Sequence, residues 1–365
     1  MIIFAIILLL IIVTVQIRSM HTALKSVSYE CHFSKLLIEP GEEFDITITI
    51  TNKSRAFIPF IKIEQAFPAN IILNGIQLAK TANPADYIYH TSTLYLMPRS
   101  KYIKRVTARF PRRGRYVFPG AHLRVGDFLA LGDKTLEHKY HHLEIVVYPQ
   151  TTTVPNFDDN LSGIMGDVSV RRFVIEDPVM TIGFRDYSGR EPMKAISWIQ
   201  SAKTGKLMVK QFDHTIEASV SIILDVEGRG LEGDTDKKEA AFSYVRSLCE
   251  LLESRGTKYD FLTNATTADT HARWSYKPED LGLHHFSAIM EGLGRASHNH
   301  VETLDTLCKN FVQKKNYDRF VILVTIKHET LVDTSYIEKS NGGKAYIFST
   351  EERSNETSIL SKAAM

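Results

Sequence analysis

At 365 residues the chain is too long for one ordinary domain and comfortable for two. Its 44% hydrophobic and 24% charged content is that of a folded globular protein and excludes a disordered chain. A formal net charge of +2 is too weak an electrostatic footprint for a protein whose main partner is nucleic acid.

The chain opens on an apolar run from Ile2 to Val15, broken only by Thr14, with Arg18 as the first charge. Residues 1–17 as a helix would measure roughly 25 Å, near the lower limit for a bilayer core. No basic residue precedes the run, and the VQIRSMHTA that closes it is a poor cleavage segment. A retained transmembrane anchor is therefore expected. Arg18, Lys25 and Lys35 follow it, which predicts a single-pass membrane protein with its bulk in the cytoplasm.

Residues 25–150 read as an all-β, immunoglobulin-like sandwich. From Phe44 to Thr51 apolar and polar residues alternate, the period of a half-buried antiparallel strand. Further short strands are expected at 57–66, 87–96, 102–109, 115–118 and 143–148, with Pro and Gly between them. Residues 151–217 read as a connecting region. From 218 to 350 strands and helices alternate, which predicts an α/β, Rossmann-like domain with a parallel sheet. Ala218–Val226 is its first buried strand and Lys237–Ser254 its first helix, with Ala241, Val245, Leu248 and Leu252 on one face. The polar residues 351–365 read as a flexible tail.

Three blocks carry a family resemblance. One runs Gly183-Phe184-Arg185-Asp186-Tyr187, then Ile196-Ser197-Trp198, then Ser201-Ala202-Lys203 through to Lys210. The second is Arg112-Arg113-Gly114-Arg115-Tyr116, and the third Gly126-Asp127-Phe128-Leu129-Ala130-Leu131 with Val147-Tyr148-Pro149. In these the chain resembles domain-of-unknown-function family fifty-eight, proteins related to von Willebrand factor A domains and often encoded beside MoxR-type AAA+ ATPases. Ala130 and the missing proline in the Gly-Asp turn depart from the family pattern, as do Ser188-Gly189-Arg190 after the tyrosine. The resemblance implies a von Willebrand factor A-type second domain and a partner ATPase of MoxR type.

It also implies a Mg²⁺ site after the first α/β strand, built from Asp-x-Ser-x-Ser with a distant Thr and Asp. Here the strand ends Asp225-Val226-Glu227-Gly228-Arg229, so both serines are replaced, and Thr325-Ile326-Lys327 stands where the second Asp is expected. Asp225 and Glu227 are the remaining candidate ligands of an incomplete site, Mg²⁺ demanding near-octahedral oxygen ligation. No cofactor is expected.

Other chemistry is sparse. Cys31, Cys249 and Cys308 form no CxxC pair or Cys/His cluster and read as buried thiols of a reducing compartment. His141-His142, His284-His285 and His298-Asn299-His300 read as solvated surface residues, and no GxSxG, HExxH or Walker A pattern is present. The basic residues around Gly114 and from Arg171 to Lys210 admit two readings: salt bridges with Glu176, Asp177, Asp186 and Glu191, or a docking face for an acidic partner. Trp198, between Ile196 and Ile199, reads as a core anchor. The expectation is a non-enzymatic, membrane-anchored adaptor that binds a MoxR-type ATPase. The alternatives are a metal-dependent receptor using Asp225 and an enzyme with its site in 151–217.

Overall fold

A computed structural model describes residues 26–75, 87–126, 133–139, 143–152, 177–189, 191–213, 219–228, 233–267, 276–313, 320–328, 332–333, 335–341 and 345–350, with scattered positions between 3 and 14. The chain divides into two compact units, Met1–Gln150 with Leu293–Arg295, and Thr151–Gly292 with Ala296–Met365.

Between residues 26 and 150 the described elements of the first unit are strands, and its Leu293–Arg295 are helical. In chain order they are β1 (Val27–Phe33), β2 (Leu37–Ile38), β3 (Glu43–Asn52), β4 (Ile58–Pro68), β5 (Ile72–Leu73), β6 (Tyr87–Leu96), β7 (Lys101–Arg109), β8 (Gly114–Val117), β9 (Gly120–Gly126), β10 (Asp133–Lys139) and β11 (Glu144–Val147). They form four-stranded sheets ordered β1-β3-β7-β5 and β10-β9-β4-β6, and a small third sheet, β2-β11-β8. The alternating run lies in β3, where Phe44, Ile46, Ile48 and Ile50 are buried. They share one core with Ile61 and Ile63 of β4, Val106 of β7 and Leu123 and Val125 of β9. Phe110 stacks on Tyr116 with ring centroids 3.8 Å apart and meets Phe118 edge-on.

The second unit begins with β12 (Asp177–Asp186), a 3₁₀ turn (Met193–Ala195), α1 (Trp198–Thr204) and β13 (Met208–Asp213). There follow β14 (Ser219–Asp225), α2 (Asp234–Ser254), β15 (Lys258–Thr263), β16 (Ala265–Thr267), β17 (Tyr276–Asp280), α3 (Leu283–Arg295), β18 (Ala296–His300), α4 (Leu304–Gln313), β19 (Phe320–Thr325), α5 (Ser335–Asn341) and β20 (Ala345–Ser349). Their largest sheet is ordered β17-β15-β14-β19-β20. Every residue of β14 and β19 is buried, as central strands covered on both faces must be. α2 starts three residues before the periodic pattern, with Asp234 and Asp236 in its first turn, where the helix dipole favours carboxylates.

Two expectations are corrected here. Among the described residues no helix is long and apolar enough to cross a membrane. The expected anchor over 1–17, most of which lies outside the described residues, and the single-pass cell-membrane location therefore lose their support. The run sat at the lower limit of spanning length, so apolar composition alone was weak support. The expected fold class, a transmembrane helix, an immunoglobulin-like sandwich and a von Willebrand factor A-type parallel α/β domain, is corrected: among the described residues strands outnumber helices. Its five-stranded sheet is parallel only in part, because β17 runs antiparallel to β15. The antiparallel pairs β12–β13 and β16–β18 form separate two-stranded sheets. The strands that spoil the parallel reading are short and polar. Tyr276–Asp280 contains Pro278 and Ala296–His300 two histidines, so neither shows an apolar period of two.

Candidate functional site

The second unit brings polar side chains together at the carboxyl end of its parallel strands. β14 lies between β15 and β19, with Leu224 opposite Thr263 and Asp225 opposite Thr325. The three strands therefore end side by side, and Asp225, Thr263, Asn264 and Thr325 are all buried there. This is where an open parallel sheet receives ligands.

The Asp225 carboxylate is fully enclosed. Its Oδ1 accepts from the Glu227 backbone N–H at 3.0 Å and from Asn264 Nδ2 at 2.6 Å, and its Oδ2 from Thr325 Oγ1 at 2.9 Å. Asn264 Oδ1 in turn accepts from the Val226 N–H at 2.9 Å, and its Nδ2 also donates to the Glu302 carbonyl at 3.1 Å. Burial raises the Asp225 carboxyl above its ordinary range, against the pull of these donors and of Lys327.

Glu227 stands nearer solvent. Its Oε2 accepts from Lys327 Nζ at 2.7 Å and from the Leu304 N–H at 2.8 Å. The carboxylate thus satisfies a backbone donor in the first turn of α4 while pairing with an ammonium. Partial burial raises its pKa, but the hydrogen bonds from Lys327 and Leu304 outweigh this and hold it low. The Lys327 N–H is fixed by Thr325 Oγ1 at 3.1 Å and its carbonyl by Ser349 Oγ at 2.8 Å. Gly228 is needed for a close approach: a Cβ there would lie 2.5 Å from Asp234 Oδ2 and 3.0 Å from Ile326 Cδ1.

This donor set does not fit Mg²⁺. The oxygens of Asp225 already receive three protein donors, and the lysine ammonium occupies Glu227. Among the described residues no group of three His, Cys, Asp or Glu is placed to hold a metal ion. Arg229 lies outside the described residues. No motif announces Asn264 or the Glu227–Lys327 pair in the sequence. The signal available was position alone, Asn264 one residue past β15 and Lys327 two past β19.

The block from 183 to 210 folds as the β12–β13 hairpin with α1 inside it. Arg185 pairs with Glu191, whose carboxyl is held down to about 2, chiefly by the Ser188 hydroxyl and also by Arg185. The Tyr187 N–H donates to the Leu207 carbonyl at 2.9 Å. Ser201 Oγ donates to the Ser197 carbonyl and accepts from the Met208 N–H, both at 2.8 Å, tying α1 to β13. Gly205 ends α1 at φ 68°, a left-handed cap suited to glycine. Asp186, Lys203 and Lys210 are exposed. The expected core anchor is also exposed: Trp198 retains 59% of its surface and Ile199 75%. Phe184, Met193 and Leu207 are exposed as well, so five large apolar side chains face solvent within 184–207. Isoleucine neighbours in sequence misled here, because a seven-residue helix buries few of its faces.

The residues around Gly114 are structural in the first unit. Arg113 is buried and its Nη1 donates to the Leu293 carbonyl at 2.6 Å. Arg115 and Arg295 both bind Glu144, and Tyr116 Oη donates to the Arg112 carbonyl at 2.9 Å. Gly126 ends β9 against the Phe60 ring, and Asp127 lies outside the described residues. His298 of β18 meets Glu239 of α2 at 2.7 Å. His285, expected at the surface, is buried against the Tyr259 ring. The three cysteines are buried and unbridged.

No family model matches the chain. It is similar to "Uncharacterized protein YeaD" of Bacillus subtilis (strain 168), 20% identical over 338 residues, which span 92% of this chain and 78% of that protein. Among solved structures it is similar to the CARDB domain of the PF1109 protein from Pyrococcus furiosus, solved in complex with di-metal ions (12% identity, 33% of this chain, 90% of that one, TM-score 0.19). A cohesin module from a Clostridium perfringens family 33 glycoside hydrolase matches at 13% identity, over 33% of this chain and 96% of that one, TM-score 0.25. The sporulation control protein Spo0M of Bacillus subtilis matches at 15% identity, over 44% and 58%, TM-score 0.20. Scores this low carry no argument about fold or function. The terms expected from the resemblance, von Willebrand factor A-like and MoxR-associated, find no support in these comparisons.

Proposed function

We propose that this chain is a non-enzymatic protein-interaction module, and that it docks a partner through the apolar surface of the β12–β13 hairpin and α1. The observation that carries this reading is the exposure of Trp198, Ile199, Met193, Phe184 and Leu207 within 24 residues. Soluble proteins seldom leave large apolar side chains so concentrated unless they bind there, and tryptophan is enriched among the residues that anchor interfaces. The neighbouring Lys203, Lys206 and Lys210 would provide a basic rim. The closed Asp225 network supports the same reading, since its acid has no open valence for a substrate. An AAA+ ATPase of MoxR type, which the sequence resemblance implies, is the first partner to test. Purified ATPase is expected to co-elute with the wild-type chain on size exclusion and to separate from Trp198→Ala. A hot-spot tryptophan contributes about 2 kcal/mol or more, a loss of roughly thirtyfold in affinity. Equal co-elution with the variant would reject the docking surface.

A further inference from the structure

Among the described residues the sandwich of the first unit has an edge that no strand covers. Among the described residues β6 pairs with β4 alone, so the other side of this ten-residue strand meets no strand. β7, which follows it in the chain, enters the other sheet; among the described residues it pairs beyond β3 with β5 at Ala108 and Arg109, and its Thr107 carbonyl accepts from the Asn74 N–H. Long bare edges are usually shortened, bulged or covered, and where they persist they are ready to take an added strand.

The register fixes what such a strand would meet. Ile48 lies opposite Lys104 and Ile50 opposite Tyr102, while Ile63 lies opposite Ser92 and Gln65 opposite His90. The buried partners face the interior, so His90, Ser92, Tyr102 and Lys104 face it too, lining a cavity at the mouth between the sheets. Its volume of 10 Å³ admits about one water-sized group. Lys104 Nζ lies 3.3 Å from His90 Nε2, and among the described residues neither side chain meets a carboxylate. Burial, with the charge of Lys104, holds the His90 imidazole below its ordinary range.

Strands β6 and β7 and the turn between them carry one sign of charge, while the acids paired against them, Glu64 of β4 and Glu43 and Asp45 of β3, stand on the neighbouring strands. Residues 87–109 include Arg99, Lys101, Lys104, Arg105 and Arg109 and no Asp or Glu, and Tyr89, Tyr95 and Tyr102 are exposed among them. We infer that the edge of β6 accepts an extended acidic segment of a partner protein as an added strand, with one of its carboxylates seated against Lys104 and His90. A second copy of this chain pairing edge to edge is disfavoured as occupant, because its own β6 carries no Asp or Glu to set against Lys104. The inference uses different residues, on a different unit, from the Trp198 surface, so either can fail without the other.

The test is fluorescence anisotropy with the full chain and a labelled short peptide alternating Glu with Val and Thr. Binding is expected to weaken with added salt, to fall about tenfold or more in Lys104→Met, and to persist in Lys104→Arg. Methylating alternate backbone nitrogens of the peptide on its pairing side is expected to abolish binding. Thermal melting confirms that the variants fold, and His90→Gln replaces Lys104→Met if the latter does not. The inference is overturned by equal binding of the peptide with Lys in place of Glu, by unchanged affinity in Lys104→Met, or by retained binding of the methylated peptide. Tighter binding of a single-stranded oligonucleotide, or no binding of the acidic peptide up to about 1 mM, overturns it equally.

Discussion

At the scale of residues, the second unit turns on how Asp225 and Glu227 are neutralised. Asp225 is enclosed by three donors and its pKa is raised by burial, so the folded state favours its protonated form more than the unfolded chain does. That stabilising difference is complete below the unfolded pKa and is lost as pH rises through the folded value. Asp225→Asn removes the titration but leaves one donor facing an amide. Wild type should therefore exceed the variant in melting temperature most at pH 4, with the gap narrowing toward pH 8. Thermal unfolding across that range checks it, and a gap that widens with pH would contradict it. Lys327 carries a second expectation. Lys327→Met strips Glu227 of its charged partner, which should cost about 1–3 kcal/mol, whereas Lys327→Arg should restore most of it. Chemical denaturation of both variants is the measurement. Position alone was legible in the sequence: Asp225 stood at the end of an apolar strand, where a site belongs. Its closure was not legible, because Asn264 and Lys327 come from strands 39 and 100 residues away.

At the scale of elements, the strongly periodic segments were the readable ones. β3 alternates because one of its faces is buried, and α2 shows its apolar stripe because it covers a sheet. The short strands were not readable: β16 has three residues and β18 is ASHNH, too brief and too polar for periodicity to show. Trp198 failed for a related reason, since residue type suggested burial while a short helix left it exposed. The distinction between faces predicts a contrast in stability. Ile222→Ala, at a fully buried position of β14, should cost about 2–5 kcal/mol. Thr47→Ala, on the outward side of β3, should cost less than about 1 kcal/mol. Urea unfolding of the two variants compares them, and similar costs would mean the burial pattern is misassigned.

At the scale of the whole molecule, each unit has a core of its own. The first unit's cluster is drawn from residues 27 to 147 and the second holds a separate cluster around Ile223, Leu307 and Leu323. A fragment of residues 25–150 should therefore unfold cooperatively, though weakened, because Arg113 and Glu144 would lose Leu293 and Arg295. The sequence reads as strands up to residue 150, a connecting region over 151–217 and mixed elements from 218, while the structure divides into Met1–Gln150 with Leu293–Arg295 and the rest; the membrane anchor was a reading of composition that the described helices do not support. What remains is a molecule with a closed acid network and an exposed apolar surface, and the two make opposite demands on a functional assay. The most direct test is a quantitative pull-down of one partner with wild type, Trp198→Ala and Asp225→Asn side by side, each variant first shown to be folded. The account predicts that Trp198→Ala loses the partner and Asp225→Asn keeps it. Loss with Asp225→Asn and retention with Trp198→Ala would contradict it.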